Sequence, residues 1–307
     1  MKILVLGGCG FIGSHVVDSL LLQGHEVRVF DRSADKFRLP IADVRYFYGD
    51  FSNTLMLAEA LQGADVVVHL ISATVPSTSN IDPVSDIKSN LINTVQLLQL
   101  IRDAGISRIV YLSSGGTVYG VPRVLPVSEN SALNPISSYG IVKVSIESYL
   151  ALFQHLYGIQ SLVLRPSNPY GPRQGHEGVQ GVISTFMYRM LRNENIVIWG
   201  DGSVIRDYIF IDDLTRLCCL AIESGVTGVF NAGSGVGYTL NNVISEIEFA
   251  IGKKANIQYK PSRAFDVPEL VLDISNVKNT FDWEPEMPIG KGVLLHKAWL
   301  NSLLSIN

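Results

Sequence analysis

The first segment of the chain constrains the fold more than any other. Lys2–Leu6 is an apolar run with the length of a buried strand, and Gly7, Gly10 and Gly13 follow it directly. A tight turn needs a glycine with positive φ, and a helix can pack closely on the preceding strand only where no Cβ intervenes. The segment predicts a strand–turn–helix unit whose helix N-terminus offers free N–H groups to the phosphates of a dinucleotide. The alternative is a tight turn that binds no ligand.

The first half of the chain alternates short apolar strands with amphipathic helices. This alternation predicts an α/β fold in which a doubly wound parallel sheet is covered by helices on both faces. The strands are predicted at Lys2–Leu6, Val27–Phe30, Val44–Tyr48, Val66–Leu70, Arg108–Leu112 and Ser161–Leu164. The helices are predicted at Phe11–Gln23, Asp86–Ala104 and Ser138–Tyr157.

The alternation ends near Asn168. A segment rich in proline and glycine follows, then a helix near 182–192, two short strands around Gly200-Asp201-Gly202, and a helix to about 223 that Asp212-Asp213 would cap. Val229-Phe230 is predicted to return to the main sheet, and a helix from 239 and a strand near 256–260 follow. We therefore expect a first domain at 1–167, with return segments near 204–234, and a smaller C-terminal lobe that is mainly 168–307.

Composition excludes several classes of function. The chain has 307 residues, a net charge of −4 and no basic block, which disfavours nucleic-acid and membrane-surface partners. No apolar run approaches the roughly 20 residues of a membrane span. The six histidines lack metal-ligand spacing, so we expect no metal. The three cysteines, Cys9, Cys218 and Cys219, do not form a disulfide framework, which indicates a reducing, cytoplasmic compartment.

Two carboxylates are candidates for cofactor contacts. Asp31 ends the second predicted strand, 18 residues after Gly13. This offset, near 20 residues, suits an acid that binds ribose hydroxyls and would repel a 2′-phosphate, so NAD is favoured over NADP. Arg32 leaves NADP open, because arginine can accommodate that phosphate, and Asp31 could instead be a turn residue. Asp50, after the third strand, is a candidate contact to the adenine or a loop cap.

Tyr139 and Lys143 are the candidate proton-transfer residues. Residues four apart on a helix share a face, so the lysine ammonium can lie near the phenol. A free tyrosine has a pKa of about 10 and is a poor base at neutral pH. A nearby ammonium and a positive nicotinamide ring both favour the phenolate. The pair therefore predicts a phenol that can accept a proton beside a dinucleotide, although such pairs also occur on ordinary helix surfaces.

Longer motifs in a fixed order carry a family resemblance. They are the glycine loop, Asp31, Gly49-Asp50, Asn90, Ser113-Ser114-Gly115-Gly116-Thr117-Val118-Tyr119-Gly120, Tyr139 with Lys143, Arg165-Pro166-Ser167-Asn168-Pro169-Tyr170-Gly171-Pro172-Arg173, Arg206-Asp207-Tyr208-Ile209 and Asp212-Asp213. With these motifs the chain resembles an extended short-chain dehydrogenase/reductase of the NAD-dependent epimerase/dehydratase family. Within that family it is most similar to UDP-sugar 4-epimerases.

The resemblance implies a Rossmann domain, a nucleotide-sugar-binding C-terminal lobe and a homodimer packed through helices near 86–104 and 138–157. It implies NAD bound by Gly7, Gly10, Phe11, Ile12, Gly13, Asp31, Arg32, Asp50, Phe51, Leu70, Asn90, Ser113, Tyr139 and Lys143. It implies a UDP-sugar bound by Gly115, Gly116, Asn168, Arg173, Arg206 and Arg263. Tyr139 would take the proton of the sugar 4-hydroxyl, C4 would give up and recover its hydride, and a 4-keto sugar would form in between. Polysaccharide biosynthesis is the expected context.

One departure from the family pattern concerns the hydroxyl that usually bonds the reacting sugar oxygen. Its position is occupied by Gly115, so Thr117 or Ser114 is expected to replace it, unless water or a substrate group does so. Gly116 and Thr117 also stand where 4,6-dehydratases of the family carry an acidic pair, which disfavours dehydration. The alternatives are a nucleotide-sugar reductase or dehydratase and, in another class, a dinucleotide-sensing protein, which could dispense with Tyr139 and Lys143.

Overall fold

The computed structural model describes residues 1–176, 181–262 and 267–305. The chain forms two compact units. Unit 1 consists of Met1–Val118, Pro135–Arg165 and Thr215–Phe230. Unit 2 consists of Tyr119–Asn134, Pro166–Leu214 and Asn231–Asn307.

The described residues form strands and helices throughout both units. The strands are β1 (Lys2–Leu6), β2 (Glu26–Asp31), β3 (Arg45–Tyr48), β4 (Val66–His69), β5 (Arg108–Leu112), β6 (Gln160–Pro166), β7 (Asn168–Tyr170), β8 (Ile196–Trp199), β9 (Ile205–Phe210), β10 (Gly228–Ala232), β11 (Gly237–Thr239), β12 (Ile257–Lys260) and β13 (Glu269–Leu270). The helices are α1 (Phe11–Leu22), α2 (Thr54–Leu61), α3 (Pro76–Ser79), α4 (Pro83–Asp86), a π-helix (Ile87–Ile92), α5 (Asn93–Asp103), α6 (Ser138–Tyr157), α7 (Val182–Leu191), α8 (Ile211–Glu223), α9 (Leu240–Ile251), α10 (Ser275–Phe281) and α11 (Ile289–Ser305).

The main sheet has seven strands in the order β10-β6-β5-β4-β1-β2-β3. The pairs from β6 to β3 are all parallel. The strand order reverses between β1 and β4, so the loops after these strands diverge and leave a crevice where α/β proteins bind ligands. The observed sheet confirms the predicted α/β fold with a doubly wound parallel sheet.

Apolar side chains of this sheet form a core of unit 1 together with the helices that cover it. Leu4, Leu6 and Val67 of the sheet pack with Leu97 of α5 and Ile146 of α6 in one cluster of buried residues. Burial on this scale is the dominant stabilising contribution to a domain. The same packing fixes α6, the helix that carries Tyr139 and Lys143, against the carboxyl ends of β4 and β5.

Unit 2 is built around β9. β7 pairs with β9 in parallel, β11 in antiparallel and β13 in parallel, while β12 and β8 form a separate two-stranded parallel sheet. The turn at Gly200-Asp201-Gly202 therefore joins strands of two different sheets, because β8 precedes it and β9 follows it.

Several elements differ from the sequence prediction. α2 was not predicted; Asn53 caps it by accepting the N–H of Met56 at 3.1 Å. The helix predicted over Asp86–Ala104 is divided into the end of α4, the π-helix and α5. Asp212-Asp213 lie inside the first turn of α8, where their negative charge suits the helix dipole, and do not cap it from outside. In the described ranges no helix is both long and apolar enough to cross a bilayer.

Candidate active site

The glycine loop has the geometry that a phosphate-binding turn needs. Gly7 has a φ of +86°, and its N–H donates to the Phe30 carbonyl at 2.8 Å, which ties the loop to β2. A Cβ on Gly13 would lie 2.0 Å from the Gly7 carbonyl oxygen, so only glycine lets α1 start this close to the turn. Gly10 is the N-cap of α1 and contributes no side-chain hydrogen bond. The first N–H groups of α1, beginning at the half-buried Phe11 and Ile12, thus receive no side-chain cap and suit an anionic group.

Asp31 lies directly beside this loop at the end of β2. Its carboxylate accepts the N–H of Cys9 at 2.9 Å and the N–H of Arg32 at 2.7 Å. The contact to Cys9 holds the glycine loop in place, and the part-buried carboxylate retains lone pairs for a ribose diol. The Arg32 side chain is exposed.

The other residues predicted at the cofactor have local contacts of their own. Asp50 accepts both the N–H and the hydroxyl of Ser52, at 2.9 and 2.5 Å, and these bonds lower its pKa. Phe51 belongs to the buried core, and Leu70 is half-buried. Asn90 is buried in the π-helix, and its Oδ1 accepts the N–H of Ala73 at 2.8 Å. Asn90 thereby anchors the loop after β4.

A stripe on α6 carries the proton-transfer candidates. Tyr139, Lys143 and Glu147 follow one another at intervals of four residues and share one helix face. Lys143 Nζ lies 5.5 Å from the centroid of the Tyr139 ring and donates to the Leu112 carbonyl at the end of β5, at 3.0 Å. The predicted proximity of the lysine and the tyrosine is present in the structure.

The pKa values in this stripe differ from the sequence expectation. Burial raises the pKa of Tyr139 to about 12, a hydrogen bond from Ser72 acts to lower it, and the charge of Asp86 raises it. Burial lowers the pKa of Lys143 to about 8, although Glu147 and Asp86 act to raise it. The lysine thus loses its charge at a lower pH than the phenol does, so Lys143 alone cannot bring the Tyr139 phenol into the neutral range.

Glu147 was missed by sequence reasoning, although its spacing from Lys143 is a usable signal. Its carboxylate forms a buried ion pair with Arg165, with Oε2 2.6 Å from Nη2, and accepts a short hydrogen bond from the Ser113 hydroxyl. Ser113, predicted at the cofactor, is therefore engaged with Glu147. The negative charge of Glu147 keeps the Lys143 ammonium more stable than burial alone would allow.

The N-terminus of α6 is held by side chains from the segment after β4, which sequence reasoning also missed. The N–H of Ser138 donates to Asn80 Oδ1 at 2.8 Å, and the N–H of Tyr139 donates to Ser79 Oγ at 3.1 Å. Buried Asp86 accepts the Ser138 hydroxyl at 2.7 Å. The polar run Ser72–Asn80 at the carboxyl end of a buried strand was the available signal, because such ends meet at the ligand edge of a parallel sheet.

The run around Gly115 shows where the predicted hydroxyls lie. Gly115 is buried, and Gly116 and Ser114 are half-buried. The Thr117 hydroxyl is buried and has no hydrogen-bond partner among the described residues. A Cβ on Gly140 would lie 2.7 Å from the Thr117 carbonyl oxygen, so the Thr117 backbone packs directly on the first turn of α6.

Of the residues predicted at the nucleotide sugar, Asn168, Arg173 and Arg206 lie in unit 2, whose strand β9 carries Arg206 and pairs with the strand of Asn168. Register pairs Asn168 with Tyr208, and Asn168 Nδ2 donates to the Asp207 carbonyl at 2.8 Å. Arg206 is paired with Tyr238 of β11, and its Nη1 donates to the Ile205 carbonyl at 2.8 Å.

Two further arginines complete the predicted set. Arg173 has a φ of 65°, a conformation that is uncommon outside glycine, and its charge acts on Asp212 to lower the pKa of that carboxyl, although burial raises the pKa overall. Arg263 lies outside the described residues.

His69, at the end of β4, is a packed residue. Its Nε2 lies 2.9 Å from the Thr94 hydroxyl, and its ring packs between Phe51 and Tyr111. Burial lowers the pKa of His69 to about 3, so the ring is neutral at physiological pH. Within the described ranges no group of three or more His, Cys, Asp or Glu residues could hold a metal ion.

Comparison with known proteins agrees with this geometry. The model of the NAD dependent epimerase/dehydratase family matches residues 3–233. The UDP-glucose 4-epimerase of Mycolicibacterium smegmatis is 34% identical, with 95% of this chain and 96% of that protein covered. The crystal structure of Thermotoga maritima UDP-glucose 4-epimerase with UDP-glucose is 37% identical, with a TM-score of 0.95 and 99% and 100% of the two chains covered. The Thermus thermophilus UDP-glucose 4-epimerase in complex with NAD is 32% identical, with a TM-score of 0.92 and 98% and 99% covered. The resemblance predicted from the motifs is confirmed, and the chain belongs to the NAD-dependent epimerase/dehydratase family.

Proposed function

We propose that this protein is an NAD-dependent 4-epimerase of a UDP-sugar. The observation that carries the proposal is the Tyr139–Lys143–Glu147 stripe, which faces the carboxyl end of β5 on a sheet whose first loop suits a dinucleotide. The relatives named UDP-glucose 4-epimerase, which match nearly the whole chain, support the same reaction. The sugar is a hexose, an N-acetylhexosamine or a uronic acid.

The cofactor would be held by the glycine loop, the α1 N-terminus and Asp31. Bound NAD would supply the hydride-accepting chemistry at C4. The chain supplies the proton chemistry: Tyr139 takes the proton of the 4-hydroxyl and returns it to the opposite epimer. Lys143 holds a positive charge 5.5 Å from the phenol ring, and Glu147 stabilises that charge. Since burial raises the pKa of Tyr139 to about 12, further positive charge or hydrogen bonding is needed at the phenol.

The loop after β5 favours epimerisation over dehydration. Gly116 and Thr117 occupy the positions where 4,6-dehydratases carry an acidic pair, so no carboxylate stands there to remove a proton from C5 or donate one to a leaving hydroxyl. The same loop leaves the buried Thr117 hydroxyl without a partner in the described part of the chain, which suits a substrate oxygen.

Unit 2 would bind the nucleotide end of the substrate. Arg206 and Arg173 would provide cations for the two phosphates, Arg263 stays a candidate from the sequence alone, and Asn168 would add an amide next to β9. Arginine is suited to this task because its planar guanidinium binds phosphate through two parallel hydrogen bonds.

The proposal includes a homodimer that packs through α6 and the helices around α5. The large apolar side chains Ile141, Tyr149, Leu152 and Leu156 are between 37% and 55% exposed on α6. Their spacing places them along one helix stripe, and an exposed apolar stripe of this kind is typical of an interface between subunits.

A panel of UDP-sugars tests the proposed function. The purified protein is incubated with UDP-glucose, UDP-N-acetylglucosamine and UDP-glucuronic acid, and the C4 epimers are resolved by chromatography. We expect interconversion of at least one pair without net consumption of added NAD. Tyr139→Phe should abolish turnover while NAD content stays unchanged. Failure of every sugar, or a Tyr139→Phe variant that is fully active, would contradict the proposal.

A further inference from the structure

Asp86, the last residue of α4, is a carboxylate in the interior of unit 1. It is fully buried, and among the described residues it forms no ion pair. The transfer of a carboxylate from water into a protein interior is costly unless hydrogen bonds replace its hydration. The contacts of Asp86 therefore show how this buried group is stabilised and what it connects.

The Asp86 carboxylate accepts hydrogen bonds from three side chains on three different segments. Its Oδ1 accepts the Thr74 hydroxyl at 2.6 Å and the Asn90 amide at 2.8 Å. Its Oδ2 accepts the Ser138 hydroxyl at 2.7 Å. Hydrogen bonds to a carboxylate are stronger than those between neutral groups. Asp86 thus joins the loop after β4, the π-helix and the first turn of α6 at one point.

The Ser138 contact places the carboxylate at the start of the helix that carries Tyr139. The N–H of Ser138 donates to Asn80 Oδ1 at 2.8 Å, and the N–H of Tyr139 donates to Ser79 Oγ at 3.1 Å. Asp86 adds a bond to the Ser138 side chain and a negative group beside the helix N-terminus, where the helix dipole favours it. The dipole offsets part of the cost of burying a carboxylate that has no cation partner.

The Asn90 contact extends the same network to a residue predicted at the cofactor. The Asn90 side chain donates to Asp86 through Nδ2 and accepts the N–H of Ala73 through Oδ1 at 2.8 Å. Rotation of this amide would break both bonds, so its orientation is fixed. Asp86 therefore connects a predicted cofactor contact to Ser138, the residue that immediately precedes Tyr139.

We propose that Asp86 is a positioning residue for Tyr139. Its carboxylate fastens the first turn of α6 to the loop after β4 and to Asn90, which holds the phenol within hydrogen-bond reach of the sugar 4-hydroxyl. Proton transfer requires this reach, a heavy-atom distance of about 2.6–3.2 Å. Asp86 exchanges no proton with the substrate and acts through Ser138. The inference rests on the proposed function, because it takes Tyr139 as the base.

A role in folding alone is the alternative, and the chain offers a matched control for it. Asp213 is also a buried carboxylate, 5% exposed, and it accepts the N–H groups of Glu286 and Met287 at 3.0 Å each. Loss of either carboxylate leaves buried donors without a partner and should lower stability. Only the loss of Asp86 should also slow the chemical step.

The test compares four variants with the wild type in the NAD-loaded protein. Asp86→Ala removes the carboxylate. Asp86→Asn keeps an oxygen for the Thr74 and Asn90 donors and an amide that can donate to the Ser138 hydroxyl. Ser138→Ala and the double variant Asp86→Ala/Ser138→Ala complete a double-mutant cycle. For each variant and for Asp213→Ala we measure kcat and KM with a UDP-sugar that the wild type converts, NAD content and the denaturation midpoint.

We expect Asp86→Ala to lower kcat about 100-fold with little change in KM or NAD content, because a misplacement of about 1 Å has an effect of this size. Asp86→Asn should recover most of the loss. Ser138→Ala should lower kcat about tenfold, and the double variant should be no slower than Asp86→Ala, since both substitutions break the same link. Asp213→Ala should lower the midpoint and leave kcat unchanged.

Three kinetic results would overturn the proposal. They are an Asp86→Ala loss in kcat no larger than that of Asp213→Ala, an Asp86→Asn variant as slow as Asp86→Ala, and multiplicative losses in the double variant. If Asp86→Ala does not fold, Asp86→Asn and Ser138→Ala decide: Asp86→Asn should stay close to the wild type while Ser138→Ala is slower, and equal rates in Ser138→Ala and the wild type overturn the proposal.

Hydrogen exchange of the Tyr139 amide provides a readout that needs no turnover. Tyrosine is labelled with nitrogen-15, and the Tyr139 signal is assigned by its loss in Tyr139→Phe. We expect exchange at least about tenfold faster in Asp86→Ala and unchanged in Asp213→Ala, because only the first opens the first turn of α6. Unchanged exchange in Asp86→Ala contradicts the inference. If the wild type epimerises no UDP-sugar but Asp86→Ala still accelerates this exchange, the proposed function fails and the hold of Asp86 on Tyr139 stands.

Discussion

Replacing Glu147 by glutamine removes the carboxylate of the buried ion pair on α6. The Glu147 and Arg165 side chains are only 7% and 4% exposed, and their oxygen and nitrogen lie 2.6 Å apart. The variant leaves the guanidinium in the interior opposite a neutral amide, and removing one partner of a buried pair costs about 3–5 kcal/mol. The chain provides a matched control in Arg45–Glu59, with a similar distance of 2.7 Å but exposures of 60% and 56%. Glu59→Gln should cost only about 0–1 kcal/mol, because water screens an exposed pair.

The assay is chemical denaturation of both variants and the wild type, followed by a backbone signal and compared through midpoints at an unchanged slope. A Glu147→Gln cost no larger than that of Glu59→Gln would refute the reasoning that burial makes this pair matter. A second readout separates function from stability. Because Glu147 raises the pKa of Lys143, which is about 8, the variant should lose the ammonium at lower pH. The alkaline limb of the activity profile should therefore move to lower pH.

Three further predictions concern the cofactor loop, acid stability and assembly. In a binding titration, Gly13→Ala should weaken NAD binding far more than Gly10→Ala. The new Cβ would lie 2.0 Å from the Gly7 carbonyl oxygen in Gly13→Ala and 3.3 Å from it in Gly10→Ala. Equal losses of NAD affinity in the two variants would contradict the predicted role of Gly13. His69 has a pKa of about 3 in the folded protein and about 6.5 in the unfolded chain. Between these pH values the unfolded chain binds a proton that the folded protein does not. The free energy of unfolding should therefore fall as the pH drops through this window, by up to about 1.4 kcal/mol per pH unit. His69→Gln should lose this dependence in denaturation curves recorded from pH 7 to pH 4, and an unchanged slope would count against it. Leu152→Glu places a charge on the exposed stripe of α6 and should yield a monomer in sedimentation. Phe249→Glu on α9, where Phe249 is 82% exposed, is the control and should leave the sedimentation mass unchanged. A Leu152→Glu variant that stays a dimer would exclude this interface.

The parts of the fold that follow from local pattern were predicted closely. β5 and α6 have the predicted bounds, because a fully buried parallel strand is a continuous apolar run and α6 ends at Gly158, whose φ of +71° marks a left-handed C-cap. α2 was not predicted because its start depends on the Asn53 cap, a weak signal beside a short apolar run. The sequence predicts one regular helix over residues 86–104, because the spacing of apolar residues in this range does not reveal the wider turn of the π-helix at Ile87–Ile92.

The candidate site was predictable where chemistry depends on spacing along the chain. The glycine loop, Asp31 and the Tyr139–Lys143 pair have fixed offsets, and the structure brings each to the expected edge of the sheet. Ser79 lies 60 positions before Tyr139, and its hydrogen bond to the Tyr139 N–H depends on how the loop after β4 folds back onto α6. Burial raises the pKa of Tyr139 and lowers the pKa of Lys143, and the burial of both side chains cannot be predicted from a spacing of four residues.

The fate of the hydrogen at C4 tests the central claim most directly. The protein is incubated with a UDP-sugar that carries deuterium at C4, and the product epimers are examined by mass spectrometry and proton NMR. Epimerisation by oxidation and return at C4 predicts that both epimers keep the deuterium, while the 4-hydroxyl proton, handled by Tyr139, exchanges with water. An epimer that has lost its C4 deuterium to water, or the absence of any epimer, would contradict the account.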